Sequence, residues 1–367
     1  KDWSFPYYRD QGFPLGLGGD LAEIVAAFLA RTSSNHSSGR MMPYHYSHKK
    51  LRICCQSSVV GTQFLQAAGR AWAVKHAQTD EVVYVSGGDG ATSQGEFHEM
   101  LNYVALHQLP LVTVIQNNQW AISVPWKEQS AMDFVQLGRS YQGLAVHEVD
   151  GSDYMALLET FSTAVKQARE NATPALVLVD VVRLQPHSNS DDHTKYRSPL
   201  DLEQSYVRDP LKRLERDVVE LYGGSSEELR EIYAQAEEEV ARAFQIAEAK
   251  PFPCKGGSSH EVFSPHTVAL IDYESSQEAQ ALRDTQPKVM RDAISEALSE
   301  EMTRDSRVVV FGEDVAGDKG GVFGVTRNFT KHFGEQRCFN TPLAEATIIG
   351  TAIGMALDGI HRPVAEI

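Results

Sequence analysis

Three runs in the first half of the chain are almost continuously apolar and rich in β-branched residues: EVVYVS at 81–86, LPLVTVI at 109–115 and ALVLVDVV at 175–182. A strand with one wet face alternates apolar and polar residues, whereas a strand covered on both faces reads as an unbroken apolar run. Between the first two runs, GEFHEMLNYVALHQ sets Phe97, Met100, Leu101, Val104 and Ala105 at helical spacing. Strand, helix and strand in that order predict an α/β fold built on a doubly wound parallel sheet.

Such a sheet holds ligands at the carboxyl ends of its strands. Two polar knots stand at those ends: GGDG follows the first run and QNNQ follows the second. If the strands are neighbours, Asp89 and Asn118 bring a carboxylate and an amide carbonyl together. Both are hard oxygen donors suited to Mg²⁺, which takes its remaining ligands from phosphates and water. Gly87, Gly88 and Gly90 let the backbone approach a diphosphate, whose charge the next helix N-terminus favours. Two other phosphate-binding patterns fail on their defining residues. A P-loop needs Gly-Lys-Ser/Thr, and GGDGATSQG lacks it. A dinucleotide fingerprint needs a third glycine where Ser93 stands. The plain alternative is that Asp89 caps a helix and the two asparagines form a turn.

Strand-like and helical runs alternate from about residue 15 to 215. Residues 208–250, dense in Glu, Ala, Leu and Arg, predict two helices hinged at GGSS, and PFPCKGGSSHEVFSPH reads as a linker. A new helix–strand–Gly-rich loop–helix segment begins near Pro287. The expected organisation is a domain at 1–215, a helical segment and linker at 216–285, and the start of a second α/β domain at 286–367. The chain starts at Lys1 without methionine and stops at the strand-like RPVAEI, so it reads as a longer polypeptide cut at both ends.

With 34 basic and 49 acidic residues the formal charge is −15, which argues against nucleic acid or an anionic membrane surface as a partner. Cys54, Cys55, Cys254 and Cys338 form no CxxC pair, as in a reducing compartment without a structural metal. Apolar stretches such as IVAAFLA are too short to span a bilayer. The expectation is a soluble protein of a bacterial cytoplasm, or of the mitochondrial matrix if eukaryotic.

GDG followed at this distance by NN resembles the thiamine diphosphate motif. The text around it is similar to the 2-oxo acid dehydrogenases that feed lipoyl acyltransferases. WSFPYYRDQG, GRMMPYHY, QSSVVGTQFLQAAG and QPHSNSDDHTKYRS look like landmarks of that family's α subunit. QPKVMRDAISEAL, VVVFGEDVAGDKGGVFGVTRNFTKHFG and RCFNTPLAEATIIGTAIGMALDGIHRPVAEI look like the opening of its β subunit. The resemblance implies the thiamine diphosphate-binding fold, with a diphosphate-type domain fused through the helical linker to the start of a pyrimidine-type domain. It implies oxidative decarboxylation of a 2-oxo acid and reductive acylation of lipoamide on a partner acyltransferase. The HSNSDDHTKYRS loop points to a branched-chain substrate of the 3-methyl-2-oxobutanoate type. Pyruvate or acetoin enzymes, or a non-catalytic cofactor-binding or scaffolding subunit, are the alternatives.

Residue by residue, the resemblance implies Mg²⁺ on Asp89, Asn118 and the Trp120 carbonyl. The diphosphate cradle would be Gly88, Gly90 and Ala91, with Tyr8, Arg9, Ser58 and Val60 as further cofactor contacts; a guanidinium fork suits phosphate oxygens. Ser57, Thr62 and Gln63 match a monovalent cation site for K⁺, with Val59 where branched-chain relatives often carry Pro. Hydroxyls at a helix start explain them as well. Glu345 would stand against the aminopyrimidine ring, where thiamine chemistry needs a carboxyl group. The implied assembly is a dimer of fused chains, since that glutamate meets the Mg²⁺ site across a subunit interface. His187 would exchange protons during acyl transfer, and Ser188 matches a phosphorylated serine whose added charge disturbs the loop. His45, in an HxxH pair with His48, matches a histidine at the site entrance.

Overall fold

The computed structural model describes residues 1–33, 37, 40–43, 45–131, 133–256 and 287–367. The part of the expected linker at 257–285 lies outside the described residues.

A five-stranded parallel sheet, in the order β1-β2-β3-β7-β6, organises the first part of the chain. Its strands are β1 Trp3–Phe5, β2 Val83–Gly88, β3 Leu111–Asn117, β6 Ala145–Asp150 and β7 Ala175–Asp180; β4 Trp120–Ala121 and β5 Val124–Pro125 form a small antiparallel ribbon beyond β3. The three apolar runs are the central strands, and their side chains are buried on both faces. The predicted helix spans Gly95–His107, and Phe97, Met100, Leu101, Val104 and Ala105 are all buried. With the Thr62–His76 helix it covers one face of the sheet, while the Tyr154–Asn171 helix covers the other with Ala164 and Ala168.

The 208–250 region is helical at Pro210–Glu220 and Ser226–Ala249, broken at Gly223–Gly224 as its composition predicts. Asp209 caps the first of these helices, and a Ser225–Glu228 capping box starts the second.

A second, three-stranded parallel sheet has the order β10-β8-β9, with β8 Val308–Gly312, β9 Cys338–Asn340 and β10 Arg362–Glu366. Its crossover helix, Glu345–Ala356, lies on the Thr62–His76 helix, and small residues let the two backbones touch. A Cβ on Gly354 would stand 2.6 Å from the Arg70 nitrogen, and one on Gly69 would enter the Thr351 backbone. Phe311, Ile348 and Met355 therefore share one continuous core with Leu65, Ala68 and Trp72 of the Thr62–His76 helix.

Candidate active site

β2 and β3 are hydrogen-bonded neighbours, with Gly88 opposite Gln116, so the two polar knots meet at one edge. Asp89 opens a short 3₁₀ turn and is 1% exposed. The backbone N–H of Asn118 approaches Asp89 Oδ1 at 3.4 Å, while Asp89 Oδ2 is buried with no hydrogen-bond partner among the described residues. Burial pushes the Asp89 pKa up, and nearby backbone N–H groups and the Arg183 charge offset this only in part. Asn118 Oδ1 accepts the Trp120 N–H at 3.0 Å and keeps a second lone pair free. An orphaned carboxylate oxygen beside an amide oxygen fits a hard divalent cation, and the donor set suits Mg²⁺.

Two of the cradle glycines are required by their neighbours, whereas a Cβ on Gly88 would come no closer than 3.9 Å to the Gln116 carbonyl. A Cβ on Gly87 would meet the Phe64 ring at 2.7 Å, and one on Gly90 would meet Ala121 Cβ at 2.8 Å. Ala91 lines a small recess together with Tyr8, Ser57, Val60 and Gln63, so five of the expected residues face one space.

Arg9 closes the other side. Its guanidinium donates to the Tyr8 hydroxyl at 2.9 Å, to the Tyr7 hydroxyl, to His187 Nε2 at 3.1 Å and to the His187 carbonyl at 3.2 Å. Because arginine only donates, His187 Nε2 is the acceptor and the neutral ring carries its proton on Nδ1. Burial, then the charges of Arg9 and Arg183, depress the His187 pKa and keep the imidazole neutral. His45 is buried, stacks on Tyr8 with centroids 4.5 Å apart, and accepts from the Ser58 hydroxyl at 2.8 Å.

Sequence reasoning missed the bracing of the polar loop. Asp191 Oδ2 accepts the His187 N–H at 2.7 Å and the Tyr196 hydroxyl at 2.6 Å. Arg183 donates to that hydroxyl at 2.7 Å and to the Ile122 carbonyl at 2.8 Å, which ties the loop to the turn beyond Asn118. The one available signal was the density of charged residues after an apolar strand. Ser188 is exposed, with its hydroxyl 3.1 Å from that of Ser190.

The expected cation residues Ser57, Thr62 and Gln63 stand at the start of the Thr62–His76 helix. Ser57 and Thr62 bond the backbone of Val59, whereas Gln63 donates to the Ser86 carbonyl at 3.0 Å. Glu345 is exposed in the first turn of its helix and shares no hydrogen bond with Asp89, Asn118, Arg9 or His187 among the described residues.

Residues 1–255 match the family described as "Dehydrogenase E1 component". The chain belongs to that family. Residues 286–367 match "Transketolase, pyrimidine binding domain", so this dehydrogenase E1 component carries a second, pyrimidine-type unit after the first. Over 210 residues it is 35% identical to the 2-oxoisovalerate dehydrogenase subunit alpha of Bacillus subtilis, covering 57% of this chain and 64% of that protein. An Arabidopsis thaliana mitochondrial protein, 2-oxoisovalerate dehydrogenase subunit alpha 2, is 34% identical over 256 residues, covering 69% and 54%. A Mycobacterium tuberculosis 3-methyl-2-oxobutanoate dehydrogenase subunit alpha is 34% identical over 214 residues, covering 58% and 55%. The chain thus spans between about half and just under two thirds of these relatives. Among the described residues no helix is long and apolar enough to cross a membrane.

Proposed function

We propose that this dehydrogenase E1 component decarboxylates a branched-chain 2-oxo acid of the 3-methyl-2-oxobutanoate type with thiamine diphosphate and Mg²⁺, and acylates the lipoyl group of a partner acyltransferase. The observation that carries this reading is the orphaned Asp89 Oδ2, set beside Asn118 at two adjacent strand ends. The branched-chain substrate rests on the names of the relatives and on the HSNSDD loop.

Asp89, Asn118 and the Trp120 carbonyl would hold the cation, with Gly88, Gly90 and Ala91 against the diphosphate and Arg9 and Tyr8 beside it. When bound, thiamine diphosphate supplies the nucleophilic carbon and the electron sink that decarboxylation needs. His187, with a neutral ring whose Nε2 lone pair is an acceptor, accepts or returns the proton exchanged in acyl transfer. Glu345 is assigned to the aminopyrimidine of a neighbouring copy, in a dimer of fused α- and β-type units; its exposure, with no hydrogen bond to the Asp89 set among the described residues, supports that assignment. Exposed Ser188, beside His187, is the assigned phosphorylation site.

Calorimetric titration of thiamine diphosphate into the protein, with Mg²⁺ and then with EDTA, beside Asp89→Ala, tests the reading. Saturable binding that needs both Mg²⁺ and Asp89 supports it. Binding unaffected by EDTA and by the substitution would sink it. Turnover of 3-methyl-2-oxobutanoate against pyruvate then decides the substrate.

A further inference from the structure

Asp10 follows Arg9 in the YYRDQG stretch and touches none of the groups assigned to the cofactor, yet its carboxylate makes two bonds to the ends of two strands. Oδ2 accepts the Ser86 hydroxyl of β2 at 2.5 Å, and Oδ1 accepts Gln116 Nε2 of β3 at 2.8 Å. Ser86 Oγ also accepts the Tyr7 N–H at 2.8 Å, and the Asp10 N–H closes a turn on the Tyr7 carbonyl at 2.9 Å. Gln11 reinforces the turn from its far side, donating to the Tyr8 carbonyl at 2.6 Å.

We propose that Asp10 is a positioning residue: its carboxylate clasps the ends of β2 and β3, and through that clasp it fixes the turn that aims Arg9 at His187. The catalytic significance rests on the functional reading above, whereas the clasp itself is a property of this chain alone.

A guanidinium on a long, freely rotating stem reaches four acceptors on three residues only if its backbone is held. Tyr7–Arg9 lies beyond the three-residue strand β1, too short a ladder to hold it, so the anchor must come from side chains. Asp10 is the residue of that turn that bonds two strands at once. Its donors, a hydroxyl and an amide, are both neutral, and no ion pair to Asp10 occurs among the described residues. Burial accordingly pushes its pKa up. A surface ion pair would be a poor clasp, because water competes for both partners. A part-buried carboxylate that accepts two directed bonds holds one orientation.

The readout is the imidazole of His187, followed by NMR titration in the full chain without cofactor. The charged groups that act on it are Arg9, Arg183 and Asp191. In the wild type it titrates below 6.5, because of burial and the two guanidiniums. Arg9→Met removes one positive charge and raises the pKa. Asp10→Ala is expected to raise it by a similar amount, since it frees the guanidinium. The double variant is expected to go no further than Arg9→Met alone. Asp10→Asn, which retains an acceptor for Gln116, falls between, and Ser86→Ala follows Asp10→Ala from the other end of the same bond. Far-UV circular dichroism of Asp10→Asn guards against a general loss of fold. The proposal is overturned if Asp10→Ala and Ser86→Ala leave His187 at its wild-type pKa while Arg9→Met shifts it, or if Arg9→Met itself has no effect. Failure of the functional reading registers separately, as thiamine diphosphate binding that ignores Asp89→Ala, and does not touch the His187 titration.

Discussion

The carboxylate of Glu99 accepts both the backbone N–H of Thr347, at 3.1 Å, and its hydroxyl, at 2.7 Å. Glu99 lies in the helix that follows the diphosphate turn, and Thr347 lies two residues into the helix that begins at Glu345. That second helix has no side-chain cap of its own at Ala344, so the first unit supplies the cap of the second. The first turn carrying Glu345 is therefore fixed by a group that belongs to the diphosphate-type unit.

Glu99→Ala should then cost about 1–2 kcal/mol, the range for a lost cap with a charge-assisted bond. Glu99→Gln should cost less, since the amide oxygen still accepts. Urea denaturation of the three proteins measures this, and an alanine variant as stable as the wild type would mean that the cap carries no weight.

The crossing of the two helices makes a second demand. Gly354 has no room for a methyl group, because a Cβ there would stand against the Gln66 carbonyl and the Arg70 nitrogen. These are backbone atoms of a buried helix and cannot swing aside. Gly354→Ala should destabilise by about 1–3 kcal/mol or more through overpacking, despite the better helix propensity of alanine. Limited proteolysis should find the second sheet released first. Gain of stability would show that the helices stand further apart in solution.

The sequence made the central strands legible because burial on both faces leaves an unbroken apolar run, as in Val83–Gly88, Leu111–Asn117 and Ala175–Asp180. β6, AVHEVD, escaped because it lies at the sheet edge with most of its side chains partly or fully exposed. β1 escaped because Pro6 ends it after three residues. In the site, Asp89 and Asn118 were readable from their places after apolar runs. Asp10, Asp191, Tyr196 and Arg183 were not, since their roles depend on which polar side chains converge in space.

Acid should loosen the junction between the two sheets. Trp72 stacks on His76 at 3.9 Å and meets His361 edge-on at 5.4 Å, with the two imidazoles 6.1 Å apart. Burial lowers the pKa of both; His361 and Lys75 add to this for His76, against a pull from the Gln336 backbone, and Arg70 adds to it for His361. The folded state thus prefers neutral rings. Their stabilisation is fully present above the ordinary value of 6.5 and is lost as pH falls below it through the lowered folded-state pKa values. The thermal midpoint should drop between neutral pH and about pH 5, and His361→Asn should flatten that drop by removing one proton uptake. An equally steep drop in the variant would assign the acid sensitivity to other groups.

Arg70 offers the sharpest contrast between breaking and removing a pair. It is 2% exposed and pairs with Glu81 at 2.9 Å within the first unit and with Asp358 from the second. Desolvation penalises the buried guanidinium, and Glu81 compensates for it. Arg70→Ala strands Asp358 in a poorly solvated place and leaves Glu81 to Arg52 alone, so it should cost about 3–5 kcal/mol. Asp358→Ala leaves Arg70 with Glu81 and removes an anion that itself pays for burial, so its cost should be well under half of that. Arg70→Ala combined with Asp358→Ala should recover part of the loss of Arg70→Ala alone, because one stranded charge has gone. A double-mutant cycle by denaturation measures the coupling. If the two costs simply add, Asp358 is solvated through the junction and the two units are held there by packing rather than by charge.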